Sequence, residues 1–544
     1  MTGGKEGSDT KLLDCDPGDL YTYSAQRWIW NEAQQLQNRY VSFDLNALIK
    51  IAEEAAGDNA VCVNISKLPE GNFNKAFLAT VQDGRELLKS QIQTQDLATT
   101  QPRLKWQQCN MESLHLPVPK VITYCSRVVE SKLGSEYIVM EKAQGIELSR
   151  MWESLKPRDK LSITEQIGSI TSTLSRAGLP YHGSLYLRKD VSESESIKFD
   201  DTFAIGPTTG RAWFDDRRGE VDIHRGPWAS SSSTMNALVK RELACVSKFS
   251  KFPRDTQQGI FNGPGGYHPT KEAKLSVLQD FLKIYQHILP KDDGLNAGII
   301  WHNDLHSDNI FVDQDKPTTI TSIIDWQAVP IYPMFLIAYH PSLIEFDGPK
   351  PERFVRPSLP ENINDLNPQD KKAASELFLA QTLWLYYETQ VYKEAPDLLH
   401  AFQYRETLQS ELLGLVGSIF DDGEPHVQKL LADVTRDDVW RQLVGEDNCG
   451  NSRVPCPLSY TEHDLVKQSE EYAKWERDVE RKAQVINELG VYTGWNGAVS
   501  PDDYDEVVSR LKLAKKRFLD RESKTSEERV LWEKAWPFED KASE

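Results

Sequence analysis

The chain has 544 residues, 39% of them hydrophobic and 10% aromatic, enough for two or three packed units or one large bilobal domain with additions. Its 63 basic and 82 acidic residues give a net charge of -19, which argues against a general nucleic-acid binder, since that needs a basic face for the phosphates. No apolar run approaches the ~20 residues of a membrane span. The seven cysteines (Cys15, Cys62, Cys109, Cys125, Cys245, Cys449, Cys456) are scattered, with no Cys-x-x-Cys pair. That speaks against a disulfide framework or a cysteine zinc site and fits a reducing compartment. Cys449 and Cys456 read as incidental thiols in one loop.

Residues 1–20 mix Gly, Lys, Asp and Glu and have no apolar core, so they are expected to be a disordered lead without a secretory signal; lacking Arg, they also lack a presequence signature. An aromatic segment over 21–32 is expected to dock on the body. Helical periodicity over 44–56 predicts a helix with Asp44 as its N-cap. Strands are predicted over 62–67, 75–81 and 85–91. The first turn contains Gly71 and Asn72. A hairpin tip of small residues can lay backbone N–H groups over phosphates, and an ordinary hairpin tip explains the same residues when that segment is taken alone. Lys89 is the one lysine on the third strand. Residues 91–108 have poor periodicity and few carboxylates, and Glu112 is the nearest glutamate that follows the strand. A strand over 136–142 breaks at Glu141 towards Gly145, either as a hinge between lobes or as a plain sheet edge.

Helices are predicted over 148–155 and 161–177, the second with Ile163, Ile167, Ile170 and Leu174 on one face. An irregular section from 182 to 228 either walls a pocket or covers the core. A helix over 275–289 then delivers the chain to Trp301-His302-Asn303-Asp304-Leu305-His306-Ser307-Asp308-Asn309, followed by the apolar run Ile310–Val312 and the β-branched run ending at Asp325. Two apolar strands joined by a polar turn predict a hairpin. It would set Asn309 beside Asp325, with Asp304 on the loop before them. Phosphoryl transfer needs this kind of layout: hard oxygen ligands for Mg2+ and a carboxylate to receive the acceptor's proton. Asn309 and Asp325 fit as the metal ligands, Asp304 fits as the base, and His302 as an internal brace. A proline-rich crossing over 349–360 follows. Helices are then predicted over 374–392, 398–413, 427–433, 461–489 and 504–520, with the charged stretch 461–481, including Tyr472 and Trp475, as a solvated face.

The pattern His302-x-Asp304-Leu305-His306-x-x-Asn309, with Asp325-Trp326 downstream, resembles the aminoglycoside phosphotransferases and choline kinase-like enzymes. Arg27-Trp28-Ile29-Trp30-Asn31-Glu32, Leu68 to Lys75, Glu136 to Lys142, Ile323 to Gln327 and the charged C-terminal helices are similar to the fungal altered-inheritance-of-mitochondria protein nine type. The resemblance implies a protein kinase-like α+β fold: a small antiparallel-sheet N-lobe, a mostly helical C-lobe and a helical C-terminal extension. The units would be 1–20, 21–141, 142–445 and 446–544. It implies an ATP- and Mg2+-dependent phosphotransferase acting on a small hydroxylated molecule. In that enzyme Asp304 and His302 belong to the catalytic loop, Asn309 and Asp325 hold the metal, and Gly71, Asn72, Lys89 and Glu141 bind the nucleotide. The expected partners are nucleotide and acceptor, with no nucleic acid and no transmembrane segment. The location implied is the mitochondrion, with the cytoplasm as alternative. The likeness lapses over 89–111, where Lys89 stands one residue out of register and Gln107 takes the place of the paired glutamate. A substitute lysine (Lys75 or Lys105), a degenerate nucleotide lobe or a misassembled exon would each account for this, and the second leads to a pseudokinase scaffold as the rival reading.

Overall fold

Leu13, Leu114 and residues 16–71, 74–92, 116–253, 263–491 and 495–540 are described in the computed structural model. After the short strand β1 (Arg27–Trp28) comes helix α1 (Leu45–Ala56), started by Asp44, whose carboxylate accepts the amides of Asn46 at 2.8 Å and Ala47 at 3.1 Å. The strands β2 (Cys62–Lys67), β3 (Asn74–Val81), β4 (Glu86–Ile92), β5 (Val121–Cys125) and β6 (Tyr137–Glu141) form one antiparallel sheet in the order β2-β3-β4-β6-β5. Every second residue of β3, from Lys75 to Val81, is buried, the two-residue period of a strand with one face on a core. Leu48, Ile51 and Ala52 of α1 cover that face at Phe77, Ala79 and Val81. The segment 1–20 is not wholly a lead: Leu13 bridges Ile65, and the 3-10 turn Pro17–Leu20 ends on a fully buried Leu20. Leu20 finds the same apolar core, and its burial offsets part of the entropy lost in ordering the turn.

Between the lobes the chain is pinned to the hairpin that follows residue 309. Gln144 donates its amide to Ser322 Oγ at 3.3 Å and accepts from Thr321 Oγ1 at 2.5 Å. Gly145 follows at φ +93°, and a Cβ there would lie 2.1 Å from the Val312 carbonyl oxygen. Both the positive φ and the contact exclude a side chain. Gly145→Ala is therefore expected to destabilise the fold by about 3 kcal/mol or more, read as a lower urea midpoint.

The second lobe begins with β7 (Ile146–Glu147) and α2 (Pro157–Ser175), whose Ile163, Ile167, Ile170 and Leu174 are buried as their spacing predicts. The section read as irregular contains a sheet, β8 (Ser184–Leu187), β9 (Ile197–Lys198) and β10 (Phe203–Gly206), in the order β8-β10-β9. Next comes α3 (Ser231–Lys248), capped reciprocally by Ser230 and Ser233. Its opening run of serines has the composition of a loop, which hides a helix start in the sequence. Arg218 ties the insertion down, meeting Glu242 of α3 at 3.1 Å and Asp421 at 2.9 Å. Helix α4 (Lys271–Ile288) leads to β11 (Gly298–Ile300), which pairs with β14 (Ile331–Pro333), and between them lies the hairpin of β12 (Ile310–Val312) and β13 (Ile320–Ile323).

Helix α5 (Pro368–Glu394) packs along α2. The single helix expected over 398–413 is two, Pro396–Tyr404 and Leu408–Leu415, because Thr407 caps a new start by accepting the Ser410 amide at 3.3 Å. After α6 (Glu424–Val434) comes α7 (Glu462–Leu489). Its first half is not simply solvated: the rings of Tyr472 and Trp475 stack on His426 at 5.8 and 5.7 Å. The second half joins α8 (Tyr504–Glu522) and α9 (Ser526–Ala535) in a separate apolar cluster that also takes in Trp30, while β15 (Ala498–Val499) pairs with β1. The whole is an α+β bilobal fold with a helical C-terminal extension. Among the described residues no helix is long and apolar enough to cross a membrane.

Candidate active site

The hairpin register sets Ile310 opposite Ile323, and the Ile324 amide donates to the Asn309 carbonyl at 3.0 Å. Asn309, at the head of one strand, thus lies beside Asp325, just past the end of the other. Asn309 Nδ2 donates to the Asp304 carbonyl at 2.9 Å, which folds the loop back over the strand and leaves Asn309 Oδ1 as an oxygen donor. His302 is the pin through this arrangement. Its Nε2 is 2.9 Å from the Ile324 carbonyl, its Nδ1 accepts the Asp304 amide at 3.2 Å, and its ring stands edge-on to Trp326 at 4.6 Å. Burial holds its pKa down to about 4, so the ring is neutral. With Nδ1 accepting, the proton sits on Nε2 and is donated to Ile324.

Asp304 is exposed at the surface of the loop. His306 Nε2 lies 3.5 Å from its carboxylate, and His306 Nδ1 lies 3.1 Å from that of Asp308. The hydrogen bond to His306 holds the Asp304 pKa below the usual carboxylate range, and the same bond raises that of His306. Asp325 behaves oppositely. Burial, and after it the charge of Asp304, push its carboxyl up to about 6. Its backbone is left-handed at φ +63°, a conformation that Asp tolerates better than most residues. A carboxyl oxygen beside an amide oxygen is a hard donor set that fits Mg2+. Two protein oxygens leave the remaining positions to phosphate and water. Among the described residues no group of three or more His, Cys, Asp and Glu is placed to hold a metal, so these two ligands stand without a dedicated cage.

The nucleotide-lobe residues are placed less uniformly. Gly71 is exposed, and a Cβ there would touch nothing; Asn72 lies outside the described residues, as do Lys105, Gln107 and Glu112. Glu141 ends β6 with its amide donated to the Lys120 carbonyl at 2.9 Å. The Lys89 backbone pairs with Phe77 and Val139, whose side chains belong to the core under α1. Ser90 instead pairs with Ala76 and Ile138. That second row is the one that looks into the cleft, because Asn74, two residues before Ala76, reaches across to Gln327 with Nδ2 2.8 Å from Oε1. A one-residue offset changes the face, so the register sets the Lys89 position in the core-facing row. Lys75 is no substitute. It is 2% exposed, paired with Glu70, and donates to the Thr22 carbonyl at 2.9 Å.

Three functional-looking side chains carried no assignment from sequence. His306 stood inside the motif, so its spacing was the available signal. Gln327 and Arg211 had none. Arg211 opens the 3-10 turn Arg211–Trp213 in the insertion, and its charge lowers the pKa of both Asp304 and Asp325. The insertion also bounds a cavity of about 690 Å3 whose lining includes His224, Trp228, Lys240 and Tyr285, but not Asp304, Asn309 or Asp325.

Residues 65–335, which span most of the N-lobe sheet, the insertion and the β12–β13 hairpin, match the sequence model of the phosphotransferase enzyme family. The chain carries a phosphotransferase-family domain. Its relatives extend beyond that domain. A subtelomeric hrmA-associated cluster protein of Aspergillus fumigatus is 25% identical over 88% of this chain and 97% of its own length. The altered inheritance of mitochondria protein 9 of Yarrowia lipolytica, named as mitochondrial, is 20% identical over 84% of this chain and 81% of its own. Among solved structures, the streptomycin–ATP–APH(2'')-IIa ternary complex aligns with 70% of this chain and 90% of its own, at 13% identity and a TM-score of 0.34.

Proposed function

We propose that this phosphotransferase-family chain moves the terminal phosphoryl group of ATP, with Mg2+, to a hydroxyl of a small acceptor molecule. One observation carries the reading: a single hairpin and the loop before it bring the ionised Asp304, the Asn309 amide and the partly buried Asp325 carboxyl together at one end of the hairpin. Asp304 is exposed, its low pKa keeps it ionised at neutral pH, and it is the group that takes the acceptor's proton. Asn309 and Asp325 are the residues that would hold the metal, which when bound neutralises the phosphate oxygens. His302, neutral and doubly hydrogen-bonded, keeps the loop and the Asp325 strand in register. By likeness to relatives named as mitochondrial, the mitochondrion is the proposed location.

The β4 register favours a second reading, a pseudokinase scaffold, because the cleft-facing row offers Ser90 where a phosphate-binding lysine would stand. A thermal-shift titration separates the two. The enzyme reading expects ATP with Mg2+ to raise the melting point, since a ligand at a hundred times its Kd stabilises by about 2.7 kcal/mol, and ATP with EDTA to do much less. No shift under either condition favours the scaffold. A metabolite phosphorylation screen would then name the acceptor.

A further inference from the structure

His302 braces the catalytic loop from inside, and a second segment holds it from the other side. β14 runs into the helical turn Met334–Ile337, and the residues just after that turn reach the loop. The Tyr339 hydroxyl shares its proton between the Asn303 carbonyl at 3.1 Å and the Asn303 side-chain oxygen at 3.2 Å. Ser342 Oγ donates to the Leu305 carbonyl at 3.1 Å. The two carbonyls belong to the residues on either side of Asp304.

A peptide group is planar, so a hydrogen bond at each end fixes its plane. The 303–304 peptide is held at its carbonyl by Tyr339 and at its amide by His302 Nδ1, 3.2 Å away. The 305–306 peptide is held at its carbonyl by Ser342 and at its amide by the Asp304 carbonyl, 3.0 Å away. That same Asp304 carbonyl receives Asn309 Nδ2 at 2.9 Å. With these planes fixed, the rotations about the Asp304 Cα are fixed too, and so is the direction in which its side chain leaves the loop. Asp304 needs this support, because its carboxylate is exposed and His306 Nε2 is as far as 3.5 Å from it. The donors are placed in turn by elements remote from the loop. His340, next to Tyr339, lies buried between Trp384 of α5 and Phe402 of the helix Pro396–Tyr404, with ring centroids 3.6 and 4.1 Å away. Its Nε2 is 3.2 Å from Oε1 of the buried Glu388, also on α5.

We propose that Tyr339 and Ser342 are positioning residues that aim Asp304 at the acceptor hydroxyl by holding the peptide carbonyls on its two sides. The assignment rests on the phosphotransferase reading above, in which Asp304 takes the acceptor's proton. Both side chains act through the loop, so their contribution falls on the rate of transfer, while nucleotide affinity is left to the metal ligands Asn309 and Asp325.

Two measurements on the full chain test it. Tyr339→Phe removes one hydroxyl and keeps the ring, which stands edge-on to Trp301 at 6.4 Å, and Ser342→Ala removes the other. In each variant, hydrogen exchange read by mass spectrometry should quicken by about five- to tenfold at the amides of 302–309, the worth of one hydrogen bond, with α2 unchanged. Release of labelled phosphate from ATP with Mg2+, water serving as acceptor, should fall about tenfold in kcat for each variant and about a hundredfold for the pair, while KM for ATP stays within about twofold. Ser342→Thr, which restores a hydroxyl, should recover most of the loss. A merely structural role would instead spread faster exchange across the lobe and move kcat and KM together. Unchanged exchange in the loop, or faster exchange with kcat intact, overturns the assignment and leaves the enzyme reading standing. A wild-type chain that releases no phosphate from ATP with Mg2+ sinks the enzyme reading itself, and the assignment goes with it.

Discussion

Asp304→Asn is expected to lower phosphotransfer by about 10^2- to 10^4-fold, the usual worth of a positioned general base, while Mg2+-dependent nucleotide binding persists. The amide keeps the shape of the carboxylate but cannot accept the acceptor's proton. Its partners are spared as well: the Asp304 backbone amide still reaches His302 and its carbonyl still receives Asn309. The substitution also removes the charge that, after burial, does most to hold Asp325 protonated. The remaining carboxyl should therefore ionise more readily, and the metal affinity should hold or tighten. Single-turnover assays with labelled ATP, paired with calorimetry, would check both halves. Unchanged transfer would remove Asp304 from the role of base, and lost nucleotide binding would make it a ligand.

Asp325→Asn is expected to cost nucleotide binding and yet stabilise the metal-free protein at neutral pH. A mostly buried aspartate with its pKa raised from 3.8 to about 6 opposes folding above that pH, because the unfolded chain ionises more easily than the native one. The wild-type protein should then gain stability as the pH falls from about 7 towards 4, and the asparagine variant should lack that gain. At pH 7 the difference is about 3 kcal/mol, or roughly 3 °C in melting temperature for a chain of this size melting as one unit. Asn also accepts the left-handed backbone that residue 325 adopts, so no strain offsets the effect. Melting curves at pH 5 and pH 7.5, each with and without ATP and Mg2+, would decide it. A variant less stable than wild type at pH 7.5, or one still shifted by ATP with Mg2+, would contradict the account.

What the sequence disclosed follows from how far apart the cooperating residues lie along it. Asn309 and Asp325 are joined by one tight hairpin, so spacing and β-branched runs were enough to bring them together. The sheet of the N-lobe and the helix begun by Asp44 were legible for the same reason, since a period of two or 3.6 residues is a local property. Arg211 was not legible. The turn that carries it is held through Trp213 to Tyr332 across 119 residues, a contact that leaves no periodic trace. The start of α3 was masked by its serines, and the break after Tyr404 by an apolar pattern that continues through it. The offset of Lys89 was visible as a departure from the family pattern, but only the pairing with Phe77 and Val139 gave its direction.

The pairing of Arg27–Trp28 with Ala498–Val499, and of Trp30 with Trp495 and Phe538 at 5.1 and 5.5 Å, bears on how this molecule is made. Residue 30 leaves the ribosome long before residue 538 exists. The body between them can settle during synthesis, but this module cannot close until residue 538 has been made. Until then the rings of Trp30 and Trp495 stand without Phe538, and a chaperone or any segment of similar greasiness has its best opportunity to hold them.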